Sequence, residues 1–201
     1  FFKEGLPEGV WTYWNKKGEK DFDFDFGSGL EHIALEDLVE RKSVFYKLGG
    51  DVPFTGIITQ ENPDADYLFL GRTKEGKKDG QWVKWFPSGK DVPEIILVDV
   101  PKPEPKVPWS GGKQEQGGFK GGKKHGDWTE WYDNEYMKSH GTYNEGIMDG
   151  HWIFYHQNGV KEKEGSLAMG NADGLWIFWD DESNKVQEGT FSNGIKEGQW
   201  T

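Results

Sequence analysis

Six times along this chain a glycine, three residues, a second glycine, one residue and a tryptophan recur: Gly5-Gly9-Trp11, Gly76-Gly80-Trp82, Gly122-Gly126-Trp128, Gly146-Gly150-Trp152, Gly170-Gly174-Trp176 and Gly194-Gly198-Trp200. From Trp128 onward the tryptophans are 24 residues apart. That is the period of one small supersecondary unit stacked on its neighbours, so the chain reads as a repeat array. The earlier intervals of 71 and 46 residues are close to three and two periods.

Residues 126–143, GDWTEWYDNEYMKSHGTY, show what one repeat builds. Trp128 to Tyr132 is dense in aromatic and β-branched residues, Asp133-Asn134-Glu135 interrupts it, and a second run ends in Gly141-Thr142-Tyr143. Two such runs around a polar turn predict a β-hairpin. The next two repeats agree: Trp152–Tyr155 with Asn158-Gly159 and Gly165-Ser166-Leu167, then Trp176–Trp179 with Glu182-Ser183-Asn184 and Gly189-Thr190-Phe191. The G-x-x-x-G phrases read as links between hairpins, with glycines where positive φ is required. The predicted fold is therefore all-β: an elongated, twisted meander of antiparallel hairpins, about 24 residues each.

Side chains alternate across a strand, so each repeat puts one aromatic residue on each face. Trp82, Trp128, Trp152 and Trp176 form one row, continued by Trp200, and Trp85, Trp131, Tyr155 and Trp179 form the other. The first row, with Gly80, Gly126, Gly150, Gly174 and Gly198, defines the repeat and is structural. A twisted sheet is expected to hold one row inside and leave the other half exposed, without fixing which, and the second row is the candidate partner-binding surface.

Composition fits this design. Only 34% of residues are hydrophobic, but 15% are aromatic, so burial must come from large rings spaced by turns. The net charge of −11 divides into −5 for residues 1–108 and −6 for 109–201. Such acidity disfavours nucleic acids and anionic membranes and permits a basic protein partner. No run approaches the roughly 20 apolar residues of a membrane-spanning helix, and with no cysteine there are no disulfides or thiolate metal sites. Composition alone assigns no compartment.

The phrase is missing between Trp11 and Trp82. Asp21 to Phe26 alternates Asp and Phe as an amphipathic strand would, with its carboxylates in a row rather than converging on calcium. Residues 30–40 read as a short helix with Ile33, Leu38 and Val39 to one side; residues 43–46, 54–59 and 67–70 return to strand character. Residues 99–108, DVPKPEPKVP, hold four prolines and read as a stiff connector in polyproline II. The predicted organisation is a partly degenerate hairpin array over 1–98, the connector, and regular repeats over 109–201. Phe2 stands nine residues before Trp11, as Phe119, Tyr143, Leu167 and Phe191 stand before their own tryptophans, so the chain reads as opening and closing inside repeats.

Catalytic chemistry is not visible. His151 and His156 flank one strand at an odd offset, no metal-ligand spacing occurs, and no serine lies in a nucleophile elbow. Gly27-Ser28-Gly29 precedes no helix that could hold a phosphate. The sequence therefore predicts no enzyme, cofactor or metal.

The segments GKKDGQWVKWFPSGK, GKKHGDWTEWY and EGTFSNGIKEGQW resemble the bacterial variant of the MORN repeat, as does Pro53-Phe54-Thr55-Gly56. The resemblance covers residues 1–20, 41–90 and 109–201, and departs at Glu135 and Ser183, where Gly18, Gly89 and Gly159 stand in other copies. It implies a sheet of consecutive hairpins, and a function as scaffold or protein-binding surface within a larger assembly or with other copies of itself. Proteins of this type called YwqK-type antitoxins suggest an alternative, an acidic immunity protein that neutralises a basic toxin. Sugar stacking on the ring row suggests another, a glycan-binding envelope module.

Overall fold

The computed structural model describes residues 2–3, 6–14, 20–59, 68–85 and 112–201, in which the chain is all-β and carries no α-helix. It divides into two compact units, Phe1–Gly112 and Lys113–Thr201. The proline-rich connector at 99–108 lies outside the described residues.

The C-terminal unit is a meander of eight strands: β11 (Lys113–Lys120), β12 (Lys123–Trp131), β13 (Met137–Asn144), β14 (Ile147–Tyr155), β15 (Lys161–Ala168), β16 (Asn171–Trp179), β17 (Lys185–Ser192) and β18 (Ile195–Glu197). Each pairs antiparallel with the next. The sequential hairpins are as the repeat predicts, but the two glycines of the phrase do different jobs. The first closes a two-residue turn in which both residues have positive φ: Glu145 (51°) with Gly146 (89°), and Met169 (49°) with Gly170 (83°). That geometry matches the twist of the flanking strands. The second lies within a strand rather than in a link. Ser166 faces Asp173 and Gly165 faces Trp176, so Gly174 (φ 77°) and Leu175 stand between as a bulge.

The bulge sets each tryptophan down on the strand before it. Gly71, Gly117, Gly141, Gly165 and Gly189 each lie beneath the ring of the tryptophan 11 residues later, and a Cβ at any of them would collide with that ring. The indole N–H of Trp82, Trp152 and Trp176 donates to the carbonyl of Arg72, Thr142 and Ser166, the residue after that glycine. Neighbouring rings close the sides. Tyr143 meets Trp152 edge-on at 5.2 Å, and Trp152, Phe154, Trp176, Phe178 and Trp200 follow one another at centroid spacings of 5.8 to 6.4 Å. The ammonium groups of Lys124 and Lys196 sit 3.9 Å from the ring centres of Trp128 and Trp200. Trp128 and Trp152 are thereby 1% and 0% exposed within one layer of sheet.

The N-terminal unit uses the same hairpin but layers both faces. β8 (Gly56–Thr59), β9 (Leu68–Lys74) and β10 (Lys77–Trp85) run antiparallel, and β5 (Glu31–Ala34) joins β8 in parallel, an exception to the predicted meander. β3 (Val10–Trp14) and β4 (Lys20–Asp25) form a hairpin that brings Phe22, Phe24 and Phe26 against Ile57, Leu70, Val83 and Trp85. The alternation of Asp21 to Phe26 thus seats its rings in a core. Asp23 accepts hydrogen bonds from Lys20 and Thr12, both at 2.7 Å, which hold its carboxyl below the usual range. β6 (Leu38–Arg41) and β7 (Val44–Lys47) place Phe45 against Trp82 on the other face. β1 (Phe2–Lys3) and β2 (Leu6–Pro7) pair separately.

The helix expected over 30–40 is not formed. Its residues are β5, a 3-10 turn at Leu35–Asp37, and β6, because pairing with β8 and β7 satisfies the backbone better than one isolated helical turn.

The turns without glycine show how strongly the array imposes its shape. Gly159 has φ 83°, and Glu135 and Ser183 adopt 69° and 73° at the same position. A left-handed residue that is not glycine costs roughly 1–2 kcal/mol. Glu135→Gly and Ser183→Gly should each raise unfolding stability by up to about 1 kcal/mol, after the larger chain entropy of glycine is allowed for, as measured by urea denaturation.

Candidate functional site

Strand alternation puts Trp131, Tyr155 and Trp179 on the face opposite the buried tryptophans, at the end of β12, β14 and β16. All three are half buried. Trp85, the fourth member of the predicted row, is 4% exposed and packs against Phe22 at 6.3 Å. It is a core residue, because β4 covers its face in the N-terminal unit. The candidate site is therefore the row of three in the C-terminal unit.

A ladder of hydrogen bonds along the wide turns fixes this row. Tyr132 donates its hydroxyl to the carbonyl of Tyr155 at 2.8 Å, and His156, one repeat on, lies 3.0 Å from the carbonyl of Trp179 through Nε2. For that bond Nε2 must carry the proton. Asn134 and Asn158 reach the carbonyls of Gln157 and Asp181 at 2.6 and 2.7 Å. Every bond spans 23 residues, and two of the acceptors are the backbone of ring-row residues themselves. Burial raises the Tyr132 hydroxyl above its ordinary pKa, with the charge of Glu162 adding to it.

At the opposite edge the tight turns make a matching ladder. The amides of Gly146, Gly170 and Gly194 donate to the carbonyls of Lys124, Met148 and Ala172 in the preceding repeat, at 2.8 to 2.9 Å. Successive repeats are thus tied at both ends of their strands, which holds the rings in a fixed series.

The face around the rings mixes Ile153 and Ile177 with charged side chains, and its turn edge is acidic. Lys113 and Lys161 stand 5.4 and 5.7 Å from the ring centres of Trp131 and Trp179. Lys161 pairs with Glu164 at 2.7 Å and Lys185 with Glu188 at 3.0 Å, so these lysines are neutralised within the site. The wide turns beside the row carry Asp133, Glu135, Asp180, Asp181 and Glu182 and no lysine or arginine. Asp180 is bound by Asn184 through side chain and backbone, which keeps its carboxyl ionised below the usual range.

This arrangement can bind, by ring stacking and charge. Among the described residues no three His, Asp or Glu side chains gather as metal ligands, and no helix is long and apolar enough to cross a membrane. His140 is engaged with Thr129 at 3.0 Å, and His151 lies 3.9 Å from Glu164. No family model matches the chain, and no curated protein matches it.

The turn ladder was missed in the sequence. Its signal was present: Asn134 and Asn158 are 24 residues apart, as are Tyr132 and His156. Tyr132→Phe and Asn158→Ala should each lower stability by about 1 kcal/mol, the value of one net hydrogen bond. Amide hydrogen exchange should speed up in the hairpin that loses its ladder bond and in the one that receives it.

Proposed function

We propose that this protein is a non-catalytic repeat scaffold of the bacterial MORN-like kind, binding a protein partner across the face that carries Trp131, Tyr155 and Trp179. The observation that carries the reading is the row itself: three large rings, half exposed, at one position in three consecutive hairpins, with the carbonyls of Tyr155 and Trp179 held by the turn ladder. Large rings held rigidly lose little entropy on binding and bury much surface, which is why they anchor interfaces. A repeat array adds an extended surface that a compact domain of this size lacks. Such a scaffold works as one component of a larger assembly.

A second reading, neutralisation of a basic protein toxin, is supported by the acidity of the turn edge and of the whole chain. It differs in predicting affinity that falls steeply with salt.

Replacing Trp131, Tyr155 and Trp179 together by Ser should abolish capture of the native partner from host lysate, read by mass spectrometry. Far-UV circular dichroism should be unchanged, because the buried tryptophan row is untouched. Capture that survives the triple substitution would remove the reading.

A further inference from the structure

The ring row has a period, and the period selects a ligand. Consecutive rings lie on every second strand, and strands stand about 4.7–4.9 Å apart, so the row repeats every ~9.5 Å across the sheet. A polyproline II helix has three residues per turn and rises about 3.1 Å per residue, so every third residue returns to the same side after ~9.3 Å. The two periods agree over the three rings. An extended strand does not fit in this way, because its side chains alternate with period two.

The chemistry around the row agrees with the spacing. Proline rings stack on Trp and Tyr, which is how aromatic-lined grooves take proline-rich segments. In the N-terminal unit the equivalent face is closed by an aromatic hairpin lying over Leu70, Val83 and Trp85. The C-terminal unit has Glu164 and Glu188 where Leu70 stands, so an all-apolar layer would bury carboxylates there. Lys113 and Lys161 already show cations approaching the outer rings. The five carboxylates of the wide turns border the row on its open edge.

Resting on the protein-binding reading above, we infer that Trp131, Tyr155 and Trp179 form a docking row for a basic, proline-rich segment of a partner protein in polyproline II conformation. Two of its three ridges lay prolines over the rings. The third carries Lys or Arg toward Asp133, Glu135, Asp181 and Glu182.

The test uses the full chain and a synthetic peptide of repeated Pro-Pro-Lys triplets, about 12 residues long, titrated by calorimetry and tryptophan fluorescence. A Gly-Ser-Lys peptide of equal length and charge is the control. The proline peptide should bind at least about tenfold more tightly than the control, a difference of ~1.4 kcal/mol. Tyr155→Leu should remove that advantage. Asp181→Asn with Glu182→Gln, both exposed and harmless to the fold, should weaken binding and flatten its salt dependence. Equal binding of the two peptides, no binding, or binding unaffected by Tyr155→Leu would each overturn the proposal. So would a linear β-1,4-linked oligosaccharide that binds the row where the proline peptide does not. If the triple Ser variant loses its native partner while the proline peptide fails to bind, this proposal falls and the protein-binding reading stands. If capture of the native partner ignores the row, the broader reading falls as well.

Discussion

Trp82, Trp128, Trp152, Trp176 and Trp200 each lie on a glycine of the preceding strand, and the rest of the array depends on that contact. A sheet with a single layer has nothing to bury its side chains against except itself. Here the bulge at Gly80, Gly126, Gly150 and Gly174 lets the ring lie over the backbone instead of standing off it. Burying such a ring contributes roughly 2–3 kcal/mol, while ordering each residue costs about 1–2 kcal/mol of backbone entropy. A lone hairpin cannot balance those terms. Because ring and glycine belong to different strands, each repeat is stabilised by the next, and the two edge ladders add to the same coupling.

Once one face is satisfied laterally, the other is free to differ between units. In Phe1–Gly112 the segment before β8 folds back to cover both faces, and Trp85 becomes part of a core with Phe22, Phe24 and Phe26. Burial there holds the Tyr13 hydroxyl far above its usual pKa, and His32, stacked on Phe26, below the ordinary histidine range. In Lys113–Thr201 no strand of the unit covers the equivalent face, and the side chains there shift from Leu70 to Glu164 and Glu188. Identical hairpins thus give a core in one unit and a polar surface with aromatic rings in the other.

The all-β fold and the hairpin order were legible because a 24-residue period with aromatic and turn residues in fixed places admits few structures. The division of the aromatics into two faces followed from strand alternation alone. What stayed hidden depends on distant residues. Trp85 is buried by a hairpin some 60 positions earlier, which no local pattern reveals. Residues 31–34 are a strand only because residues 56–59 offer them a parallel edge. Gly141, Gly165 and Gly189 were visible as a periodic set, yet their purpose lay in a constant 11-residue interval to a tryptophan. The positive φ of Glu135 and Ser183 is set by the array against local preference.

The ring-on-glycine contact can be measured directly. Gly165 has no positive φ, so alanine there is conformationally allowed, and the nearest atoms its methyl meets belong to the ring of Trp176. In a double-mutant cycle with Gly165→Ala and Trp176→Leu, followed by urea denaturation of the full chain, Gly165→Ala alone should cost about 1–3 kcal/mol through overpacking. With Leu at position 176 the same change should cost close to nothing, leaving a coupling of at least ~1 kcal/mol. Additive effects, with alanine equally damaging when the ring is gone, would contradict the account.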